Sequence, residues 1–219
     1  MTKKKTMVSL SIKSVLVIVA FTGIIKGLVE TGPRVFLFFT QLSNLFVALV
    51  SLVLITFDIN KLSKDNKTIP NWLNYLKFSA TIGITLTFIV FWALLAKDES
   101  ASYLRSFNNL SLHTIVPILA ITECVLFTKD FGLTKKGMTT ALIPPLAYFI
   151  FAMILMAFNV SFGDGKVAPY FFLNYKELGW FGFSGGLGVF YWIIIVLSII
   201  YVLAYVVSLL HNIRLKQQK

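Results

Sequence analysis

The sequence predicts an all-α, polytopic membrane protein: a bundle of six transmembrane helices with both termini on the cytoplasmic side. Three observations carry that prediction. First, the 219 residues are 57% hydrophobic and only 13% charged, with a mean hydropathy of +0.82, whereas soluble domains carry about a quarter charged residues. Second, the charges cluster and leave apolar stretches of about 20 residues between them, the length a helix needs to cross about 30 Å of hydrocarbon. Third, helices and short loops absorb the chain length, so residues 1–219 read as a single six-helix transmembrane domain. A helix satisfies its own backbone polar groups, which apolar solvent cannot do.

The spans are expected at roughly 8–29, 34–57, 71–96, 104–127, 138–159 and 187–211. In the first, Lys3–Lys5 followed by an apolar run resembles a secretory signal peptide. A retained helix is the reading adopted, its uninterrupted core Ser14–Ile25 extended by snorkelling of Lys13 and Lys26. Hydrophilic turns are expected at Lys61–Lys67 and Lys129–Lys136. The longest connection, about Val160–Gly186, is aromatic and glycine-rich and is expected to lie on the membrane surface or to fold over the bundle as a lid.

Orientation follows from the basic residues. Twelve Lys and Arg fall on one side: Lys3, Lys4 and Lys5; Lys61, Lys64 and Lys67; Lys129, Lys135 and Lys136; Arg214, Lys216 and Lys219. Six fall on the other: Lys26, Arg34, Lys97, Arg105, Lys166 and Lys176. The richer side is cytoplasmic by the positive-inside rule, which predicts a multi-pass protein of the cell membrane. Trp72, Trp92, Tyr103 and Trp180, near span ends, suit an interfacial aromatic belt.

The net charge of +11 does not indicate nucleic acid, because the lysines sit in short groups between apolar segments rather than along a continuous basic stripe. Anionic lipid is the better partner for them. The single Cys124 excludes an intramolecular disulfide framework. One Cys and two distant His give no zinc cluster, so neither a metal nor another cofactor is expected.

Polar groups that survive inside apolar spans are the places to look for function. The second span opens with RVFLFFTQLSNLF, in which Thr40, Gln41, Ser43 and Asn44 form a polar patch and Thr40 and Asn44 share a face. Helix packing accounts for such a patch as readily as chemistry does. In the fourth span, RSFNNLSLHTIVPILAITECVLF, His113 is the one histidine well inside a span, with Asn109 on its face; His211 sits at the end of the last helix. His113 is read either as a packing residue or as an acid–base group. Counted by helix rise, Thr40 lies about 9 Å below Arg34 and His113 about 12 Å below Arg105, so the two sit at similar depth. Similar depth is required of a hydroxyl nucleophile and its base. Glu123, about 15 Å deeper than His113, reads as structural, either neutral or reaching a lysine such as Lys129. Pro117, Pro144 and Pro145 are kink positions that can open a cavity beside His113 and Tyr148.

These segments, in this order, resemble the androgen-induced and androgen-dependent six-helix membrane proteins, hydrolases of fatty acid esters of hydroxy fatty acids, and especially their bacterial relatives. The resemblance rests on FFT ending at Thr40, VFW ending at Trp92, NLSLHTIVPILAITE from Asn109 to Glu123, and PYFFLNYKELG from Pro169 to Gly179. It implies Thr40 as nucleophile and His113 as base, with an acyl-enzyme on Thr40 released by water. Asn44, Asn109, Tyr148 and Tyr170 are the candidate substrate-binding residues around the pair. The chain departs from the family at Leu110, where relatives carry another histidine, which leaves the substrate open. The leading expectation is therefore a threonine hydrolase acting on a lipid acyl ester within the membrane. A lipid acyltransferase, or a non-enzymatic lipid-binding or transport protein, stands as the alternative.

Overall fold

The structure is a computed structural model that describes residues 2–63, 68–128, 135–163, 165–182 and 186–217. Among the described residues six helices are long and apolar enough to cross a membrane, and no strand occurs. They are α1 (Lys3–Thr31), α2 (Phe39–Leu62), α3 (Asn71–Asp98), α4 (Phe107–Phe127), α5 (Lys136–Ala157) and α6 (Val189–Lys216). The expected spans are all present, displaced by a few residues at their ends. Six crossings bring both termini to one end of the bundle, here called the terminal end. The connections α1–α2, α3–α4 and α5–α6 lie at the far end. Most of the predicted turns at 61–67 and 129–136 lie outside the described residues.

The central helix is α3: 67% of its apolar stretch is buried, against 22% for α6. Its sequence explains the position. Ser79, Ala80, Thr81, Gly83, Thr85 and Thr87 are small enough for close helix approach. The hydroxyls of Thr81, Thr85 and Thr87 donate back to the carbonyls of Lys77, Thr81 and Gly83, so they need no polar neighbour in lipid. One core joins α1, α2, α3 and α4 around Leu16, Val47, Leu54, Ile84 and Val116. A second joins α3, α5, α6 and the α5–α6 connection around Phe78, Ile82, Met156, Phe172 and Ile200. Pro144 lacks the N–H that would bond the Thr140 carbonyl, and Ser79 of α3 donates to that carbonyl at 2.7 Å instead.

Toward the terminal end, four charges meet inside the first core. Lys13 Nζ lies 2.6 Å from Asp58 Oδ2 and 2.9 Å from Glu123 Oε1, while Lys77 Nζ lies 2.5 Å from Glu123 Oε2. Ser9 donates to Glu123 at 2.8 Å and accepts from Lys13 at 2.6 Å. This overturns one expectation and sharpens another. Lys13 does not snorkel: it is 3% exposed, held inside the bundle by the carboxylates of Asp58 and Glu123. Lysines of other spans pair with Glu123, whereas Lys129 lies outside the described residues. Lys26, by contrast, is exposed and reaches Glu30 at 3.8 Å.

The α5–α6 connection folds back over the far end, as the lid reading anticipates. Phe162, Ala168, Phe172 and Leu173 are buried in the second core. Phe172 packs on Trp192 of α6 with ring centroids 5.7 Å apart. The connection closes onto α6 by backbone contact, with Val189 N donating to the Gly179 carbonyl at 3.1 Å and Phe190 N to the Trp180 carbonyl at 3.1 Å. Gly188 permits this approach, since a Cβ there would stand 2.4 Å from the Trp180 oxygen.

Candidate active site

Thr40 stands at a helix mouth rather than partway down a continuous span. Gly32, with φ +75°, ends α1, and Pro33–Leu37 forms a 3-10 turn. Phe38 is then extended (φ −105°, ψ 141°), and α2 begins at Phe39. The expectation of unbroken helix from Arg34 fails because Phe38 turns outward, its ring meeting Phe162 and Tyr170 edge-on at 6.2 Å each. Thr40 is thereby the second residue of α2, where backbone N–H groups have no partner within the helix.

His113 lies in a π-turn, Ser111–Ile115, and Phe91, which stacks on it, opens a second π-turn, Phe91–Leu95. Such widened turns are common at functional sites. Pro117, four residues on, has no N–H for the His113 carbonyl. The indole N–H of Trp92 serves that carbonyl at 3.3 Å, and Thr114 Oγ1 at 3.1 Å. Trp92, expected in the aromatic belt, therefore also braces the histidine backbone.

Thr40 Oγ1 lies 3.3 Å from His113 Nε2, and His113 Nδ1 lies 3.3 Å from the Asn109 carbonyl oxygen. A ring nitrogen facing a carbonyl must donate, so Nδ1 carries the proton and Nε2 is left to accept from the threonine hydroxyl. Asn109 thus meets the ring through its backbone, while its side-chain amide donates to the Leu104 carbonyl at 3.1 Å. Asn44 donates to the carbonyls of Thr40 at 2.8 Å and Leu112 at 3.1 Å, joining α2 to α4. Both asparagines are fully buried and line neither of the two cavities at the pair.

One cavity, narrow and about 80 Å³, runs between α3, α5 and α6 and is walled by Leu86, Val90, Pro145, Phe149 and Val196. The other, about 770 Å³, opens among the far-end connections and is lined by polar groups including Gln41, Asp98, Glu99 and Asn108. Thr40, Phe91, Leu95 and Tyr170 line both. Tyr148 lines the narrow cavity and donates its hydroxyl to the Leu37 carbonyl at 2.9 Å, holding the turn before α2. Burial pushes the Tyr170 phenol above its ordinary range. The backbone N–H groups of Thr40 and Phe39 face its oxygen and pull the other way.

Sequence reasoning named Thr40, His113, Tyr148 and Tyr170, and all four gather at this junction. Phe91 and the bracing role of Trp92 were missed. Pro117 was the available signal, because a proline four residues after a histidine leaves its carbonyl needing an outside donor. Among the described residues no group of three or more His, Cys, Asp and Glu is placed to hold a metal ion.

Fold and site together define a six-helix membrane protein with a threonine–histidine pair where an apolar cavity meets a polar one. Comparison with protein-family models, with curated proteins and with solved structures gives no match.

Proposed function

We propose that the protein is an intramembrane threonine hydrolase that cleaves lipid acyl esters. The observation that carries this reading is the 3.3 Å approach of the Thr40 hydroxyl to His113 Nε2 at the junction of the two cavities. That distance is a long hydrogen bond, as is common for a catalytic pair without substrate.

The first carbons of the acyl chain enter the narrow apolar cavity and the alcohol part lies in the wide one, with the ester carbonyl over Thr40 where the two meet. The Thr40 proton passes to His113 Nε2 as Oγ1 bonds the carbonyl carbon. Tyr170, its oxygen backed by the N–H groups that open α2, directs its O–H at the developing oxyanion. The ester C–O bond then breaks, His113 returns the proton to the leaving alkoxide, and the acyl group stays on Thr40. Water from the wide cavity, deprotonated by His113, attacks the acyl carbon; the C–Oγ1 bond breaks, His113 returns the proton to Thr40 Oγ1, and the fatty acid leaves. Asn44 and Asn109 position the pair, and Tyr148 holds the turn beneath it. By sequence, twelve basic residues fall on one side of the membrane against six on the other, which supports cytoplasmic termini and a site near the outer face of the cell membrane.

The test is hydrolysis of medium-chain acyl esters, with labelling by a fluorophosphonate probe, in detergent-purified wild type, Thr40→Ala and His113→Ala. Wild type should turn over and label at Thr40, and each variant should lose both while remaining folded. Hydrolysis that survives both substitutions removes the mechanism. A stable protein that binds the ester without cleaving it supports the lipid-binding alternative.

A further inference from the structure

A cleft of about 270 Å³ separates α2 from α5, with Gly83 of α3 between them. Leu42 and Phe46 of α2 and Pro144, Ala147 and Phe151 of α5 form its walls. It lies wholly within spanning helices, and Ala147 and Phe151 are exposed at its rim, so its mouth faces lipid. Two hydroxyls line it and both are committed. Ser43 Oγ bonds the Thr40 carbonyl at 3.1 Å and Thr87 Oγ1 at 2.8 Å, and Tyr148 donates to the Leu37 carbonyl. An apolar hollow of this kind offers water no partners and stays dry, so hydrocarbon is what fills it.

The cleft leads to the catalytic pair. Phe39 and Tyr148 line both it and the narrow cavity, and their rings, with centroids 5.2 Å apart, form the partition. Pro144 stands on the cleft side and Pro145 on the cavity side. Neither proline supplies an N–H to the preceding turn, so α5 is least constrained beside the partition. Depth fits as well. Phe46 lies seven residues beyond Phe39, which opens α2 at the far end, or about 10 Å along the helix. The cleft thus runs from the level of Thr40 toward the bilayer centre, as a lipid chain runs inward from its ester.

Resting on the hydrolase reading, we infer that this cleft is a lateral portal for a long-chain lipid ester taken from the leaflet at the far end. The tail lies between α2 and α5, and the first carbons pass between Phe39 and Tyr148 to reach Thr40. The narrow cavity, about 80 Å³, then holds only the carbons next to the ester. The rest of the chain stays in the cleft, against the bilayer. The ester enters at its own depth and needs no transfer through water.

The experiment narrows the cleft from its exposed rim with Ala147→Phe; Val202→Phe, on the exposed face of α6, is the control. Each is reconstituted in phosphatidylcholine vesicles with a hexadecanoyl ester, and assayed separately with a water-soluble butyryl ester of the same alcohol. Ala147→Phe should lower kcat/KM for the hexadecanoyl ester by about tenfold, the effect of about two unburied methylenes, and leave the butyryl ester unchanged. Val202→Phe should change neither. With wild type active, any result without this split between chain lengths overturns the inference. Access is read without turnover in Thr40→Ala, by photolabelling with a hexadecanoyl ester whose tail carries a diazirine. Labels should fall on α2 and α5 beside the cleft, yield to excess unlabelled ester, and disappear when Ala147→Phe is added. Labels spread evenly over the lipid-facing helices, or gathered on α6, overturn the portal. Cleft labelling by an ester that wild type does not hydrolyse keeps the cleft as a lipid site and removes the hydrolase reading alone.

Discussion

The Phe91 ring lies face to face on the His113 imidazole, with centroids 3.8 Å apart and planes inclined by 21°. Each residue belongs to a π-turn of its own helix, α3 for Phe91 and α4 for His113. The stack closes one face of the imidazole and leaves Nε2 directed at Thr40 of α2. Three spanning helices therefore fix one hydrogen bond.

Removing that stack should loosen the base without unfolding the protein. Phe91→Ala is expected to lower kcat by about tenfold, since an aromatic pair contributes about 0.5–1.5 kcal/mol beyond its burial. Phe91→Leu, which keeps the volume, should retain the thermal midpoint and still lose rate. Unchanged kcat in both variants refutes an orienting role for the ring.

Tyr170→Phe should cost about 10²–10³ in kcat with little change in KM, as loss of an oxyanion donor does. Burial holds the phenol above its ordinary value of 10.0. A raised value favours the neutral, proton-bearing form, so the donor persists as pH rises through 10 and is lost only above it. A pH–rate profile should therefore fall on the alkaline side below pH 10 only through other groups, and Tyr170→Phe should leave the profile's shape intact.

Gly23 of α1 faces the π-turn that carries His113: a Cβ there would stand 2.7 Å from both Leu112 Cδ2 and Ser111 Oγ. Gly23→Ala should displace that turn, lowering stability by about 1–3 kcal/mol as overpacking does. Probe labelling of Thr40 should slow in the fraction that remains folded. Wild-type labelling together with a wild-type midpoint would mean that α1 does not support the site.

Glu123 receives both Lys13 and Lys77, so Glu123→Gln leaves buried cations short of a partner. We expect a loss of about 3–5 kcal/mol, read as a lower thermal midpoint in detergent. Removing a whole pair should cost less: Lys13→Met/Asp58→Asn should be milder than the sum of its single changes. Strict additivity in that cycle would show that the two side chains, 2.6 Å apart, are not coupled.

Much of the site could be read along the chain. Depth from the span end placed Thr40 and His113 at one level, and they meet. That count assumed a continuous helix from Arg34, which the turn before α2 does not provide, so the meeting of the two residues owes as much to the packing of that turn as to helix rise. The break at Phe38 could not be read in this way, because contacts with Phe162 and Tyr170 of a connection more than a hundred residues away stabilise it. Lys13 shows the same limit. In sequence it is a lysine flanking an apolar core and suits snorkelling, but its partners Asp58 and Glu123 come from α2 and α4. Gln41 was visible only as one member of a polar patch; its burial against Gly27 of α1 is a product of helix packing.

By itself the sequence determined six apolar helices, their approximate limits and which polar side chains fall within each. In lipid every backbone group must be bonded within its own segment, so that information is local to each span. Only the tertiary structure decided which polar side chains became neighbours: Thr40 with His113, Glu123 with Lys13 and Lys77, Tyr170 with the start of α2. Lateral neighbours are set by how small-residue faces such as that of α3 allow helices to pack, and that choice involves all the helices together.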